Sequence, residues 1–235
     1  MELALAAVVI VIGSYVQSSI GFGLAIISAP LLFIIDPLYS LPLAAGFLAI
    51  LLAAGKRLSH TVMIGSLIFS TAYLGWSYAA QYWITQQTEQ ALQKQQIDYQ
   101  HIKITPAPLN TLLWRIVVID EEVYYEGFRS IFDGDTAFSF TQFERGMELK
   151  KLLPDQTYIK RINWFTQDNF KLEQQDNMIV ATDLRMGMEP NYFFRFKLAE
   201  IRDGNVISVG PQQLGMQRNA KEGLNWVWQR IWNPQ

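Results

Sequence analysis

Apolar and polar residues are not mixed evenly along this chain, and their spacing changes character twice. Leu3 to Ile35 contains no charged residue. At about 1.5 Å per residue it exceeds one straight crossing of a hydrocarbon layer about 30 Å thick. Gly21, Gly23 and Pro30 interrupt the run, and Gln17, Ser18 and Ser19 bring polar groups into it. That pattern predicts a broken or kinked apolar membrane segment over residues 1–35. Asp36-Pro37 forms a turn, because proline disfavours helix at the preceding residue. Leu41 to Gly55 and Thr61 to Ala80 follow as two more apolar segments, separated by Lys56-Arg57. Tyr73, Trp76, Tyr78, Tyr82 and Trp83 cluster at the end of the last one, as aromatic side chains do at a membrane–water boundary. QQTEQALQKQQ then continues as a polar helical stalk, so residues 36–96 are expected to hold two spans and the stalk.

From Ile102 the period shortens towards two. The runs 114–120, 123–132, 138–143, 177–186 and 192–201 are β-branched or aromatic, and turn-forming pieces bound several of them. IFDGDTAF and IRDGNVI place Asp-Gly between apolar flanks, a hairpin signal. ERGMELKKLLP and PDQTYIKRINWFTQ read as short helices, the second with Asp155 as a candidate N-cap. Leu224, Val227, Trp228, Ile231 and Trp232 recur at helical spacing. They predict an amphipathic C-terminal helix that packs on its own domain, or alternatively lies on a membrane surface. The fold class expected is therefore a membrane α-helical anchor of about three spans, followed by a soluble α+β, mainly antiparallel β domain over 97–235.

Charge sharpens this division. The net charge of −2 and mean hydropathy of +0.10 describe an ordinary globular chain, yet Glu2, Asp36, Lys56 and Arg57 are the only charged residues in positions 1–80. A lipid bilayer is the expected partner of that region, in a multi-pass inner (plasma) membrane location of bacterial type. Lys56-Arg57, as the basic pair of a short loop, places that loop in the cytosol and the C-terminal domain on the non-cytosolic side. The acidic balance argues against direct nucleic-acid binding. The absence of cysteine removes disulfides and thiolate metal sites.

Candidate chemistry is sparse. His60 and His101 are the only histidines, and neither has a partner at metal-ligand spacing, so no metal ligand is assigned and no cofactor is identifiable. No nucleophile elbow and no phosphate-binding loop is present. TPAPLNTLLWR and DLRMGMEPNYFFRF are dense in mixed chemistry. Arg115, Asp183, Arg185, Glu189 and Arg195 from these two segments form a candidate polar pocket, with a structural ion-pair network as the alternative. Gln17, Ser18, Gly21 and Gly23 are candidates for a transport path.

PAPLNTLLWRIVVID, YYEGF, FERG, INWF and DLRMGMEPNYFFRF resemble the C-terminal region of the YdjM-like family, and the similarity extends over about residues 34–235. Those are inner-membrane proteins described as metal-dependent hydrolases, with LexA binding named for some. The resemblance implies a divalent metal. The family's N-terminal His- and Asp-containing motifs are missing here, so its ligand set is not transferred to any residue. In their place, Gln17, Gly21, Phe22, Gly23 and Pro30 resemble the first membrane segment of TauE/SafE sulfite exporters. The chain reads as a chimera of the two, and enzymatic activity stays open. The function expected is a membrane-anchored YdjM-like relative that lacks the metal-binding portion and acts as a binding or regulatory module. Two alternatives remain: a fragment or subunit of a sulfite or organosulfonate exporter, and a structural tether for a protein-interaction domain with a protein partner.

Overall fold

The computed structural model describes residues 37–52, 57–215 and 220–233. The exporter-like segment, with Gln17, Ser18, Gly21 and Gly23, lies outside the described residues.

Two compact units are present, one built from residues up to Tyr78 with Pro108–Asn110, the other from Ala79–Ala107 and Thr111 onward. In the first, helix α1 (Pro37–Leu52) meets the start of helix α2 (Arg57–Gln95). Gly46 makes this contact close, since a Cβ there would stand 2.9 Å from the Ser66 side chain. Nearby, the Ser70 hydroxyl donates to the Tyr39 carbonyl at 3.0 Å. A small residue lets the backbones approach, and a hydroxyl finds a carbonyl across the contact.

The expected three-span anchor is corrected here. Among the described residues one helix, α2, is long and apolar enough to cross a membrane. The segment expected as the second span is α1, whose 16 residues with Pro42 inside extend about 24 Å, short of the hydrocarbon thickness. Leu58, Ile64, Leu67, Ile68, Phe69 and Leu74 of α2 are exposed.

The second unit repeats one arrangement, a helix followed by a four-stranded antiparallel meander. In the first copy α2 contributes its last turns, followed by β1 (His101–Pro106), β2 (Leu113–Ile119), β3 (Val123–Ser130) and β4 (Phe140–Glu144), paired in that order. Ala80, Ile84 and Leu92 of α2 pack on Ile104, Trp114, Ile116 and Val118. The segment expected as a stalk thus supplies one layer of a core.

A 3₁₀ turn (Met147–Leu152) leads to helix α3 (Gln156–Thr166), then β5 (Phe170–Gln175), β6 (Met178–Asp183), β7 (Gly187–Met188), β8 (Asn191–Tyr192), β9 (Arg195–Arg202) and β10 (Asn205–Gln213). The second sheet has the order β10-β9-β6-β5, with β7-β8 as a separate two-stranded hairpin between β6 and β9. Asp155 caps α3, its carboxylate accepting from Thr157 N at 2.8 Å. Ile159 and Ile162 of α3 pack on Phe170, Leu172, Ile179, Ala181, Phe196 and Leu198. Alternation along β2 and β3 leaves Arg115, Val117, Ile119, Tyr124 and Glu126 on the face of the first sheet turned away from α2. Leu184 and Tyr192, from the connection that carries the β7–β8 hairpin, meet that face. The last helix, α4 (Ala220–Trp232), seats Val227 and Ile231 against Ala107 and Leu113.

Candidate functional site

Two of the five pocket candidates, Arg115 and Glu189, belong to one buried polar network. In the β2–β3 ladder Arg115 stands opposite Phe128 and Val117 opposite Glu126, so Arg115 and Glu126 are diagonal neighbours on one face. Arg115 Nε donates to Glu126 Oε1 at 2.6 Å, and both side chains are almost wholly buried. Arg115 Nη1 reaches the Leu184 carbonyl at 2.7 Å, and Nη2 the Tyr192 hydroxyl at 3.3 Å. The other oxygen of Glu126 accepts from the Glu189 backbone N–H at 3.2 Å.

Glu189 sits between β7 and β8, where the tight hairpin brings it over the first sheet. Its Oε1 receives both the Tyr124 hydroxyl and the Lys171 ammonium. Lys171 also pairs with Glu173 at 2.7 Å and lies over the Tyr124 and Tyr192 rings. Gly187 makes the hairpin possible: at φ +120° a Cβ would run into the Asn191 carbonyl.

Burial above all raises the Tyr124 phenol well beyond its ordinary range, with the Tyr192 phenol and the Glu189 hydrogen bond acting in the same sense. Tyr192 is raised chiefly by burial as well, against an opposing effect from Arg115. Both phenols are therefore neutral hydrogen-bonding groups across the physiological range.

The remaining candidates are held elsewhere. Asp183 is buried and accepts from the Arg185 guanidinium at 2.7 Å and from the Arg185 backbone N–H at 2.9 Å, closing a local pair. Arg185 also lies 4.8 Å from the Phe165 ring centroid. Arg195 donates to Gln175. Between Lys171 and Arg195 in the cross-strand register stands Thr182, whose buried hydroxyl has no hydrogen-bond partner among the described residues. His101 Nε2 lies 3.2 Å from Asn169 Oδ1, and His60 is on α2. Among the described residues no three His, Asp or Glu side chains converge as a metal site requires, so these residues do not fit the divalent metal implied by the YdjM-like resemblance.

Beside the network is a cavity of about 200 Å³, walled by Phe128, Phe138 and Phe143 and edged by Glu126, Glu189, Arg129 and Arg230. Both guanidiniums are already engaged. Arg230 holds Asp133 at 2.7 and 2.8 Å and the Phe128 carbonyl at 2.9 Å, which clamps α4 to β3 and the turn after it. Arg129 donates to the Thr136 and Gly134 carbonyls and stacks on Phe138, and burial lowers its pKa. Glu189 Oε2, by contrast, accepts no hydrogen bond from the described residues, and its side chain keeps some exposure. Glu189 thus stands at the edge of the cavity beside an aromatic wall.

Sequence reasoning missed Glu126, Tyr124, Tyr192 and Lys171 as members of this network. The available signal was period-two alternation: in VYYEGF it puts Tyr124 and Glu126 on one face, and in WRIVVI it does the same for Arg115 and Val117. Which strands pair, and in what register, was the missing information.

No family model, no curated protein and no solved structure matches the chain.

Proposed function

We propose that this protein is a membrane-held binding module. The observation that carries the reading is the division within α2: its N-terminal half exposes Leu67, Ile68, Phe69 and Leu74, while Ile84 and Leu92 are fully buried on the first sheet. One helix thus combines a surface suited to lipid with a structural layer of a folded unit.

Binding fits the site better than catalysis does. Lys171 is held by two carboxylates, Arg115 is bonded on all three nitrogens, and both buried tyrosines stay protonated, so none is poised as a base or nucleophile. What remains available is the Glu189-edged cavity. Kinship with the YdjM-like family is part of the proposal, resting on the motifs over 34–235, and it agrees with a module that lacks that family's metal portion.

The test is extraction of membranes from cells producing the full chain. Retention in the pellet through an alkaline carbonate wash, with release only by detergent, is the expected result. Release by carbonate alone would overturn the reading.

A further inference from the structure

Helix α4 carries two apolar faces, and among the described residues only one of them is buried. Val227 and Ile231 are buried against Ala107 and Leu113, and the Arg230–Asp133 pair fixes the helix there. Leu224, Trp228 and Trp232, spaced i, i+4, i+8, form a second stripe that stays exposed, with Trp228 at 63% and Trp232 at 50%. Phe132, itself exposed, stacks on Trp232 at 5.0 Å between ring centroids, and Trp228 meets Trp232 edge-on at 5.7 Å. The stripe is therefore a preassembled aromatic patch. Between Leu224 and Trp232 the other exposed side chains are Asn225 and Gln229, so the patch is rimmed by neutral polar groups.

Its place in the unit points to what covers it. Gln81 donates to the Ile104 carbonyl at 3.1 Å, so α2 enters this unit at the Ile104–Ala107 end of β1. Val227 and Ile231 pack on Ala107 and Leu113, at the same end of the sheet. Tyr82 and Trp83 are exposed on α2 at that end as well. Tryptophan and tyrosine rings are favoured at the headgroup level of a bilayer, where an apolar body and a polar edge are both accommodated.

We infer that the Leu224–Trp228–Trp232 stripe of α4, with Phe132, is a second lipid contact that seats the folded unit in the headgroup region of the bilayer. The inference rests on the reading that α2 lies in lipid. It adds that the folded unit is held at the membrane surface and not merely tethered to it.

The chain has no cysteine, so single labels can be placed freely. The full chain, reconstituted in vesicles of phosphatidylethanolamine and phosphatidylglycerol, would carry an environment-sensitive fluorophore at L224C, at D203C in the β9–β10 turn, or at I68C on α2. Lipid-borne nitroxides are expected to quench the Leu224 label several-fold more than the Asp203 label, and Trp228→Ser should bring the two together. Equal quenching at 224 and 203 with strong quenching at 68 overturns this inference alone. Weak quenching at 68 overturns the reading of α2. Self-quenching of the Leu224 label that grows with protein density, without nitroxide quenching, would assign the stripe to a second copy of the chain and also overturn the inference.

Discussion

Tyr124 and Tyr192 show how burial turns an ordinary side chain into a pH-dependent stabiliser. Their hydroxyls lie 3.4 Å apart, one bonded to Glu189 and the other to Arg115. A tyrosine in the unfolded chain ionises near 10.0, whereas both folded phenols are raised above that. Beyond that pH the unfolded chain sheds protons that the fold retains, so proton release favours unfolding. Stability from this source is complete below the unfolded value and falls as pH rises past it, by at most about 1.4 kcal/mol per pH unit for each phenol. In detergent-solubilised full chain, the melting temperature should therefore drop more steeply above pH 10 for the parent than for Tyr124→Phe, while Tyr124→Phe is less stable at neutral pH for want of the Glu189 bond. Parallel profiles would show that the phenol does not contribute in this way.

At the scale of elements, α2 makes the most direct demand. Ile84 is fully buried on the first sheet, so Ile84→Ala should cost about 2–5 kcal/mol of unfolding free energy, read from near-UV circular dichroism during chemical denaturation. Ile68→Ala, at a position 64% exposed, should leave that transition nearly unmoved. Similar losses at both positions would remove the distinction between the two parts of the helix. Legibility from sequence varied in the same element-by-element way. Asp203-Gly204 is a β9–β10 turn with φ of 49° and 78°, a conformation announced by the Asp-Gly pair between apolar flanks. Asp155 is a cap in the structure for the reason its side chain suggested. In contrast, β5 is written Phe-Lys-Leu-Glu-Gln-Gln, with only Phe170 and Leu172 alternating, too little for period alone to mark a strand. The last turns of α2 looked like a solvated stalk because Thr88 and Ala91 thin the buried stripe between Ile84 and Leu92. The site divided likewise: Arg115 and Glu189 were visible as charged residues in apolar runs. Their partners emerge only when β3 and β5 are placed beside them.

Across the whole folded unit, the helix-and-meander arrangement occurs twice, and Arg145 joins the two copies at a second place besides the Arg115–Glu126–Glu189 network. It follows β4, and its backbone N–H donates to the Glu122 carbonyl at 2.8 Å while its carbonyl accepts from Leu172 N at 2.7 Å. Its guanidinium, nearly fully buried, reaches the Asp120 carbonyl at 2.6 Å, the Phe170 carbonyl at 3.2 Å and the Asp168 carbonyl at 2.7 Å, with the Asp168 carboxylate at 3.2 Å. Asp120 belongs to the β2–β3 turn of the first copy, Asp168 to the turn after α3, and Phe170 to the start of the second sheet. Gly146 completes the crossing: at φ +60° a Cβ would collide with the Leu172 carbonyl, so the chain passes there only without one. Removing the guanidinium takes a donor from the buried Phe170 carbonyl and from the half-buried Asp120 and Asp168 carbonyls, and a buried group left unsatisfied costs about 1–3 kcal/mol. Arg145→Ala should therefore destabilise the unit by about 1–3 kcal/mol, chiefly through the unsatisfied Phe170 carbonyl, since Asp168 is partly solvated. The spatial pattern discriminates more sharply than the total. Hydrogen exchange should rise at both 120–123 and 168–172, while amides of β2 beneath α2 keep their protection until global unfolding. Arg145→Lys, with a single ammonium in place of a planar fork, should restore only part of the loss. Exchange that rises on one side of the crossing alone would show that Arg145 does not couple the two copies there.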